Sequence, residues 1–388
     1  MDLRPDSSRT LLEAARALAP QIEAASDQSE QERRLSPALV AALVDAGLFR
    51  MIVPRSLGGS EVPLPVFAEV IEEVAKADAS TAWCLAQNAG ICRVSAYLAN
   101  GAAREIFGQP ELIVAWGQGT ATAVRVDGGY RLTGQWSFVS GVRHATWLGC
   151  QNCGVVGEDG QPTLAKNGEP ERCILLFPAA EAEILDVWQV SGLRGTGSDG
   201  FLVKDLFVPQ ERSPREHCQE PGPLYVFGTT NIFSVGFASV ALGLARATLD
   251  AFLDLAVTKT PRSLTGVLRE RPTVQVRVAQ AEATLRSARA FLLQTVGDAW
   301  QAVSETRELT LETRILLRLA TTYAIQQAAQ VVDTAYYAAG ATAIFNVNPF
   351  ERRFRDLHAV TQHIQAREDH FESIGQFFLG LDPDRQWL

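Results

Sequence analysis

The chain has 388 residues, 47% of them hydrophobic, and carries a net charge of −9 at neutral pH. This length exceeds what one compact core normally supports, so two or three fused domains, or one three-part unit, are expected. An acidic surface does not attract phosphate backbones or anionic lipid, which argues against nucleic-acid and membrane partners. Local arginine clusters can still hold a nucleotide cofactor.

The targeting signals point to a cytoplasmic protein. Residues 1–6 contain no apolar stretch of the signal-peptide kind. The most apolar stretches, such as 233–244, are interrupted by Ser and Gly and are too short to cross a bilayer. In a reducing compartment the cysteines are expected to be small buried hydrophobes without metal or disulfide roles. They are Cys84, Cys92, Cys150, Cys153, Cys173 and Cys218.

Residues 1–112 are predicted to form a helical domain. Ser36 and Pro37 supply a cap and a first-turn proline for one helix, and Gly47 is suited to end it. Ser80 is predicted to cap a later helix that runs through Trp83.

Residues 113–222 change to short β-rich runs and predict an antiparallel sheet or small barrel. Asp127-Gly128-Gly129 between two such runs indicates a hairpin. The segment 157–171 is polar and predicts a surface loop, and Cys150 and Cys153 fall in a predicted strand. The strands are expected at 122–126, 130–132, 147–156, 173–177, 184–190 and 201–208.

Residues 223–388 return to helical periodicity and predict a four-helix bundle with an up-down arrangement. The helices are expected at 229–257, 272–304, 309–339 and 350–379. The fold class is therefore α+β, with helical, sheet and four-helix regions in that order.

Four segments in this order resemble the acyl-CoA dehydrogenase superfamily over nearly the full length. The runs at 48–59 and 136–141 resemble signatures of the first helical domain and of the strand beside the flavin ring. The run at 192–198, closing at 207–209, resembles the second β-domain motif. Gly340 and the run at 352–356 resemble the start of the last helix.

The resemblance breaks at the catalytic base. Acyl-CoA dehydrogenases carry a Glu shortly after the Arg-Asp pair, where this chain has His363, Ile364 and Gln365. An Ile side chain cannot accept a proton. Some family members place the base early in the first C-terminal helix, but the segment 221–249 has no Asp or Glu. A dehydrogenase or oxidase with a base displaced to Glu368 or Glu372 remains an alternative.

The segment around His363 resembles the two-component flavin monooxygenases of this fold. That resemblance implies FADH2 or FMNH2 from a separate NAD(P)H-dependent flavin reductase, with O2 as cosubstrate. It implies a C4a-hydroperoxyflavin that transfers one oxygen atom to an electron-rich indole- or phenol-like aromatic substrate, and it implies a homotetramer. Oxygenation of an amine nitrogen, or a catalytically silent protein with a role in assembly, would also be compatible with this fold.

Three residues are the candidate catalytic groups. An imidazole at position 363 suits proton removal from a phenol or indole N–H, although a lone His in a helical bundle is usually structural. Ser140 matches the hydroxyl that meets flavin N5, although Ser-Gly is also ordinary turn chemistry. His144 follows closely and is the second candidate. His363 and His370 share a predicted helix face, but no carboxylate pattern accompanies them, so no metal site is predicted.

The remaining candidates concern binding. Phe138 is expected to pack on the flavin ring, and the Gly-rich turn with Gly195, Thr196 and Ser198 to offer backbone N–H groups to the flavin or its phosphate. An arginine-rich helix start matches the place where the family reaches a neighbouring subunit's flavin pyrophosphate. Its members are Arg262, Arg269, Arg271 and Gln275. The substrate pocket wall is expected to include Trp83, Phe233 and Phe237.

Overall fold

The structure, a computed structural model, describes residues 7–262 and 265–388. Residues 1–6, which carry the targeting argument, lie outside the described residues. Five helices come first: α1 (Ser7–Glu32), α2 (Pro37–Asp45), α3 (Leu64–Ala77), α4 (Ala79–Cys92) and α5 (Asn100–Phe107).

The first helical region follows from local capping chemistry. The Ser36 hydroxyl accepts a hydrogen bond from the Leu39 N–H at 3.3 Å, and Gly47 follows α2 with φ +74°, as predicted. The prediction that Ser80 caps α4 is wrong. Asp78 holds that position and accepts from the Thr81 N–H at 2.7 Å, because its carboxylate is the stronger acceptor.

The central region is a six-stranded sheet in the order β4-β3-β1-β2-β6-β5. Its strands are β1 (Val114–Val126), β2 (Gly129–Ser137), β3 (Trp147–Val156), β4 (Arg172–Pro178), β5 (Glu183–Leu185) and β6 (Gly200–Pro209). The hairpin between β1 and β2 is confirmed. The expectation of a wholly antiparallel sheet is wrong, because β1 pairs with β3 in parallel. After β2 the chain passes β1 and forms β3 on the other side of it, so β3 starts at the same end of the sheet as β1.

The predicted strand at 184–190 shrinks to the three residues of β5. The backbone N–H groups of Val187 and Trp188 both donate to the buried Asp199 carboxylate at 2.9 Å. Those groups are thereby removed from strand pairing. The polar segment 157–171 contains only the isolated bridges Val156–Pro162 and Leu164–Pro170.

The C-terminal region contains α6 (Thr229–Thr258), α7 (Pro272–Thr306) and α8 (Leu311–Ala339), close to the predicted bounds. The fourth predicted helix is interrupted and becomes α9 (Phe350–Thr361) and α10 (His370–Phe378), with a 3₁₀ turn at Ile364–Ala366. The expectation that His363 and His370 share one helix face is therefore wrong. Side chains of α8 bind the carbonyls of this turn, which replaces the missing helical bonds.

The helices at the two ends of the chain share one hydrophobic core, and the sheet has its own, in which Trp136 stacks on Phe201 with ring centroids 4.7 Å apart. The predicted boundaries at 112 and 222 remain predictions. By length and composition α6 could cross a membrane, contrary to the expectation, but 83% of its most apolar window is buried in the protein.

Four cysteines are buried and Cys173 is partly buried, but Cys218 is exposed, contrary to the expectation. Within residues 7–262 and 265–388 no three His, Cys, Asp or Glu side chains form a potential metal site.

Candidate functional site

Trp83 of α4 joins the two catalytic candidates that are farthest apart in the sequence. Its indole Nε1 donates a hydrogen bond to Ser140 Oγ at 3.0 Å. Its ring stacks on Phe237 of α6 with centroids 4.0 Å apart. It also makes a T-shaped contact with the His363 ring, with centroids 5.2 Å apart. Helix α4, the turn after β2 and the break between α9 and α10 therefore meet at one side chain.

The aromatic wall continues beyond Trp83. Phe237 lies 4.6 Å from the His363 ring and 5.7 Å from Phe233, measured between centroids. Gly90 lies about two turns beyond Trp83 in α4. It makes room for Phe233, because a Cβ at that position would lie 2.1 Å from the Phe233 ring. The structure thus places all three predicted pocket residues together, and it adds Gly90, whose role no local pattern indicates.

Buried hydroxyl groups extend from Ser140 away from Trp83. Ser140 Oγ lies 2.8 Å from Ser198 Oγ, which lies 2.7 Å from Thr196 Oγ1. Thr196 Oγ1 donates to the Leu193 carbonyl at 2.7 Å. The predicted Gly-rich turn therefore meets Ser140 through side chains.

Asp356 of α9 holds the Gly-rich turn in place. Its carboxylate accepts from the Leu193 N–H at 2.6 Å, and Leu193 has φ +51°. Burial raises the pKa of Asp356 to about 7. Gly192 packs against the Arg355 carbonyl, which a Cβ would approach to 2.1 Å. The Arg-Asp pair of the sequence motif thus supports the hydroxyl-bearing turn.

His363 sits where the last helix is interrupted. Its Nδ1 accepts from the Gln365 N–H at 3.2 Å, and the Gln365 side chain is held by the buried Arg318 at 2.7 Å. Burial, together with the nearby Arg318 charge, lowers the pKa of His363 to about 4. The ring is therefore neutral at pH 7, and with Nδ1 accepting, its proton lies on Nε2.

His144, the second candidate, lies beside Gly141, with its ring 6.0 Å from that of Phe49. Neither of its buried ring nitrogens has a hydrogen-bond partner among the described residues. Burial lowers the pKa of His144 to about 4.

Phe138 shows the exposure expected of a cofactor-stacking ring. Its side chain is 63% exposed, and its backbone has φ +56°, which is strained for a residue other than glycine. Trp188 stands edge-on to it at 6.1 Å. Asp199 holds Trp188 in place and also accepts from Arg143 Nε at 2.5 Å, and Arg143 Nη2 forms an ion pair with Asp186 at 3.4 Å. These features fit a flavin ring, and sequence reasoning missed Trp188, Asp199 and Arg143.

The arginine-rich helix start is not part of this cluster. Arg271 caps α7, whose first turn packs with Phe252 in a separate small core. Phe252 lies about 22 Å along α6 from Phe237 at 1.5 Å per residue. Arg262, Arg269 and Gln275 are exposed. The two carboxylates considered as displaced bases, Glu368 and Glu372, are also exposed.

Comparisons with known proteins agree with this architecture. Residues 5–105 match the family model "Acyl-CoA dehydrogenase, N-terminal domain", and residues 235–368 match "Acyl-CoA dehydrogenase, C-terminal domain".

Several proteins with similar sequences are named as monooxygenases or hydroxylases. An indole-3-acetate monooxygenase of Pseudomonas putida is 32% identical over 91% of this chain and 90% of its own length. The oxygenase component of an FADH(2)-dependent resorcinol hydroxylase of Rhizobium sp. is 30% identical, over 93% of this chain and 91% of its own. The crystal structure of the HsaA monooxygenase of Mycobacterium tuberculosis superposes with a TM-score of 0.87 at 27% identity, covering 98% of this chain and 100% of that one. XiaF from Streptomyces sp., crystallised with FADH2 and glycerol, gives 0.90 at 25% identity and 98% coverage of both chains.

The helix–sheet–helix architecture and the two family models place the chain in the acyl-CoA dehydrogenase superfamily, and these relatives place it in the branch of flavin-dependent monooxygenases.

Proposed function

We propose that this chain is the oxygenase of a two-component system that uses FADH2 or FMNH2 and O2 to insert one oxygen atom into an indole- or phenol-like substrate. The observation that carries the proposal is Trp83, which donates a hydrogen bond to Ser140 and also contacts the His363 ring. A hydroxyl matched to flavin N5 and an imidazole suited to a substrate proton thereby contact the same indole ring.

The flavin side of the site is formed by Phe138 and Ser140. The exposed Phe138 ring offers a stacking surface, and Ser140 offers its hydroxyl. The turn with Gly195, Thr196 and Ser198 backs that hydroxyl. Bound reduced flavin supplies the activation of dioxygen, which no amino-acid side chain provides.

The substrate side is formed by the aromatic wall of Trp83, Phe233 and Phe237. Offset and edge-to-face contacts with such a wall favour a flat aromatic substrate. Exposed Glu368 and Glu372 are poorly placed to serve a buried acyl thioester, which counts against the dehydrogenase alternative.

His363 is the proposed acceptor of the substrate's O–H or N–H proton. Its low pKa keeps the ring neutral, and only a neutral ring can accept a proton. For Nε2 to be the acceptor, the ring proton must move to Nδ1, which gives up the 3.2 Å bond from Gln365. His144, with both nitrogens unpartnered in the described part of the chain, is the second candidate.

The assembly is proposed to be a cytoplasmic homotetramer served by a separate NAD(P)H-dependent flavin reductase. In such an assembly Arg262, Arg269, Arg271 and Gln275 would reach a neighbouring subunit's flavin pyrophosphate. Support comes from the exposure of Arg262, Arg269 and Gln275 and from large exposed hydrophobic residues of the bundle region. These include Tyr337, Ile344, Phe345, Val347, Phe378 and Leu379. We propose domain boundaries at 112 and 222.

The test is a single-turnover experiment. The protein is loaded anaerobically with reduced FMN or FAD, mixed with isotopically labelled dioxygen and a panel of indoles and phenols, and followed by absorbance and mass spectrometry. One labelled oxygen atom in a product supports the proposal. The absence of both a transient flavin spectrum and a labelled product across the whole panel would overturn it. Bleaching of bound oxidised FAD by acyl-CoA would favour the dehydrogenase instead.

A further inference from the structure

We infer that Thr196 and Ser198 are positioning residues that fix the direction of the Ser140 hydroxyl, so that the site accepts the N5–H of reduced flavin and disfavours oxidised flavin. This inference rests on the proposed function. In the sequence these two hydroxyls belong to a Gly-rich turn, and the motif alone predicts no role for their side chains.

The direction of the hydroxyl chain is dictated by its far end. The Leu193 carbonyl can only accept, so Thr196 gives its single hydroxyl proton to that oxygen. Thr196 Oγ1 must then accept from Ser198, 2.7 Å away. A hydroxyl has one proton, so Ser198 has none left to donate.

The same argument applies one step further along. Ser198 Oγ, having donated to Thr196, accepts from Ser140 at 2.8 Å. At the near end Trp83 Nε1–H can only donate, and it donates to Ser140. Ser140 therefore donates once, accepts once and keeps one lone pair.

Burial keeps water from rearranging this chain. The residues Thr196, Ser198 and Ser140 are 1%, 3% and 7% exposed. The Leu193 carbonyl is itself held, because it also accepts from the Trp188 indole N–H at 3.1 Å, and the Leu193 N–H is bound to Asp356. A reversal would leave a buried donor or acceptor without a partner, which is costly.

A Ser140 that offers only a lone pair discriminates between the redox states of flavin. Reduced flavin carries a hydrogen on N5 and can donate to that lone pair, whereas N5 of oxidised flavin carries a lone pair of its own. The hydroxyl chain thus favours the form that the reductase delivers and disfavours the form left after the reaction.

Two substitutions free the Ser140 proton. Thr196→Val removes the acceptor of Ser198, which can then turn and donate to Ser140. Ser198→Ala removes the acceptor of Ser140 directly. In both variants the Ser140 proton becomes available to N5 of oxidised flavin.

One control variant keeps the hydroxyl at position 196, and the other removes a similar buried hydroxyl far from the site. Thr196→Ser retains the hydroxyl at the same position. Thr248→Val removes a buried hydroxyl that is bonded to a carbonyl at the same 2.7 Å distance, but in α6.

The experiment is an anaerobic titration of wild type and variants with FMN and FAD, each in the reduced and the oxidised form, with circular dichroism to verify folding. The measured quantity is the ratio of the oxidised to the reduced dissociation constant. Wild type is expected to bind reduced flavin more tightly. Thr196→Val and Ser198→Ala should each lower the ratio about tenfold, the effect of one hydrogen bond gained by oxidised flavin, while Thr196→Ser and Thr248→Val leave it unchanged.

The failures are distinguishable. If wild type binds neither form of FMN or FAD, the proposed function falls and this inference with it. If wild type prefers reduced flavin but the folded Thr196→Val or Ser198→Ala protein keeps the same ratio, the hydroxyl chain is overturned while the proposed function stands. A wild-type protein that binds both redox states equally also overturns the inference.

Discussion

The Nδ1 atom of His363 accepts a hydrogen bond from the backbone N–H of Gln365, at the point where the last long helix is interrupted. The ring is thereby turned out of helical register and lies against Trp83 and Phe237. Had the helix continued, this ring would have followed the face that carries His370.

Replacement of His363 by Asn is expected to lower substrate oxygenation roughly 10²–10⁴-fold, the usual contribution of a positioned acid or base. Affinity for reduced flavin should change little, because the flavin is assigned to Phe138 and Ser140. Single-turnover product yield and anaerobic titration measure the two effects. His358→Asn is the control, since His358 pairs with Asp333 of α8 at 2.9 Å. Equal losses in both measurements would make His363 a structural residue.

Phe138→Ala is expected to weaken reduced-flavin binding by up to about tenfold, the value of one aromatic stacking contact. The free energy of unfolding should change by less than about 0.5 kcal/mol, because the ring is largely exposed. Phe207→Ala in β6 removes another exposed ring and should leave flavin affinity unchanged. Equal flavin affinity in wild type and Phe138→Ala would remove Phe138 from the cofactor site.

Gly90→Ala is expected to displace the Phe233 ring, which a Cβ would meet at 2.1 Å, and to destabilise the protein by about 1–3 kcal/mol. Because Phe233 belongs to the aromatic wall, KM for the aromatic substrate should change while reduced-flavin affinity does not. Gly101→Ala is the matched control, since a Cβ there has no atom within 4 Å. It should be neutral or stabilising in α5. An unchanged KM in Gly90→Ala would place substrate elsewhere.

His144 should make the protein sensitive to acid. Its pKa is 6.5 when unperturbed and about 4 in the folded protein, so the unfolded chain binds more protons between these values. The contribution of His144 to stability is therefore full above pH 6.5 and falls as the pH drops toward 4, by up to about 1.4 kcal/mol per pH unit. His144→Leu should remove this share of the slope. Urea unfolding of both proteins across this range measures it, and parallel curves would contradict the folded-state burial of the imidazole.

The sequence predicted what local chemistry determines. The β1–β2 hairpin follows from Asp127-Gly128, whose turn conformation is set by those two residues. The parallel pairing of β1 with β3 could not be predicted, because it depends on how the chain crosses the sheet.

The candidate site shows the same division between features set by local sequence and features set by contacts between distant segments. His363 and Ser140 were identified through the family resemblance, but the apolar periodicity of the last helix gave no sign of the break that places His363. The roles of Gly90 and Asp199 depend on partners distant in sequence, Phe233 and Arg143. A single sequence does not indicate such pairings.

The shared core of the two helical regions constrains the order in which the chain can fold during synthesis. The sheet can complete its own core once residue 209 has left the ribosome, whereas α1–α4 must wait for α6, α7 and α8 before their apolar faces are covered. The first hundred residues therefore spend most of translation with exposed hydrophobic surface, and a chaperone that holds nascent chains would find its binding segments there.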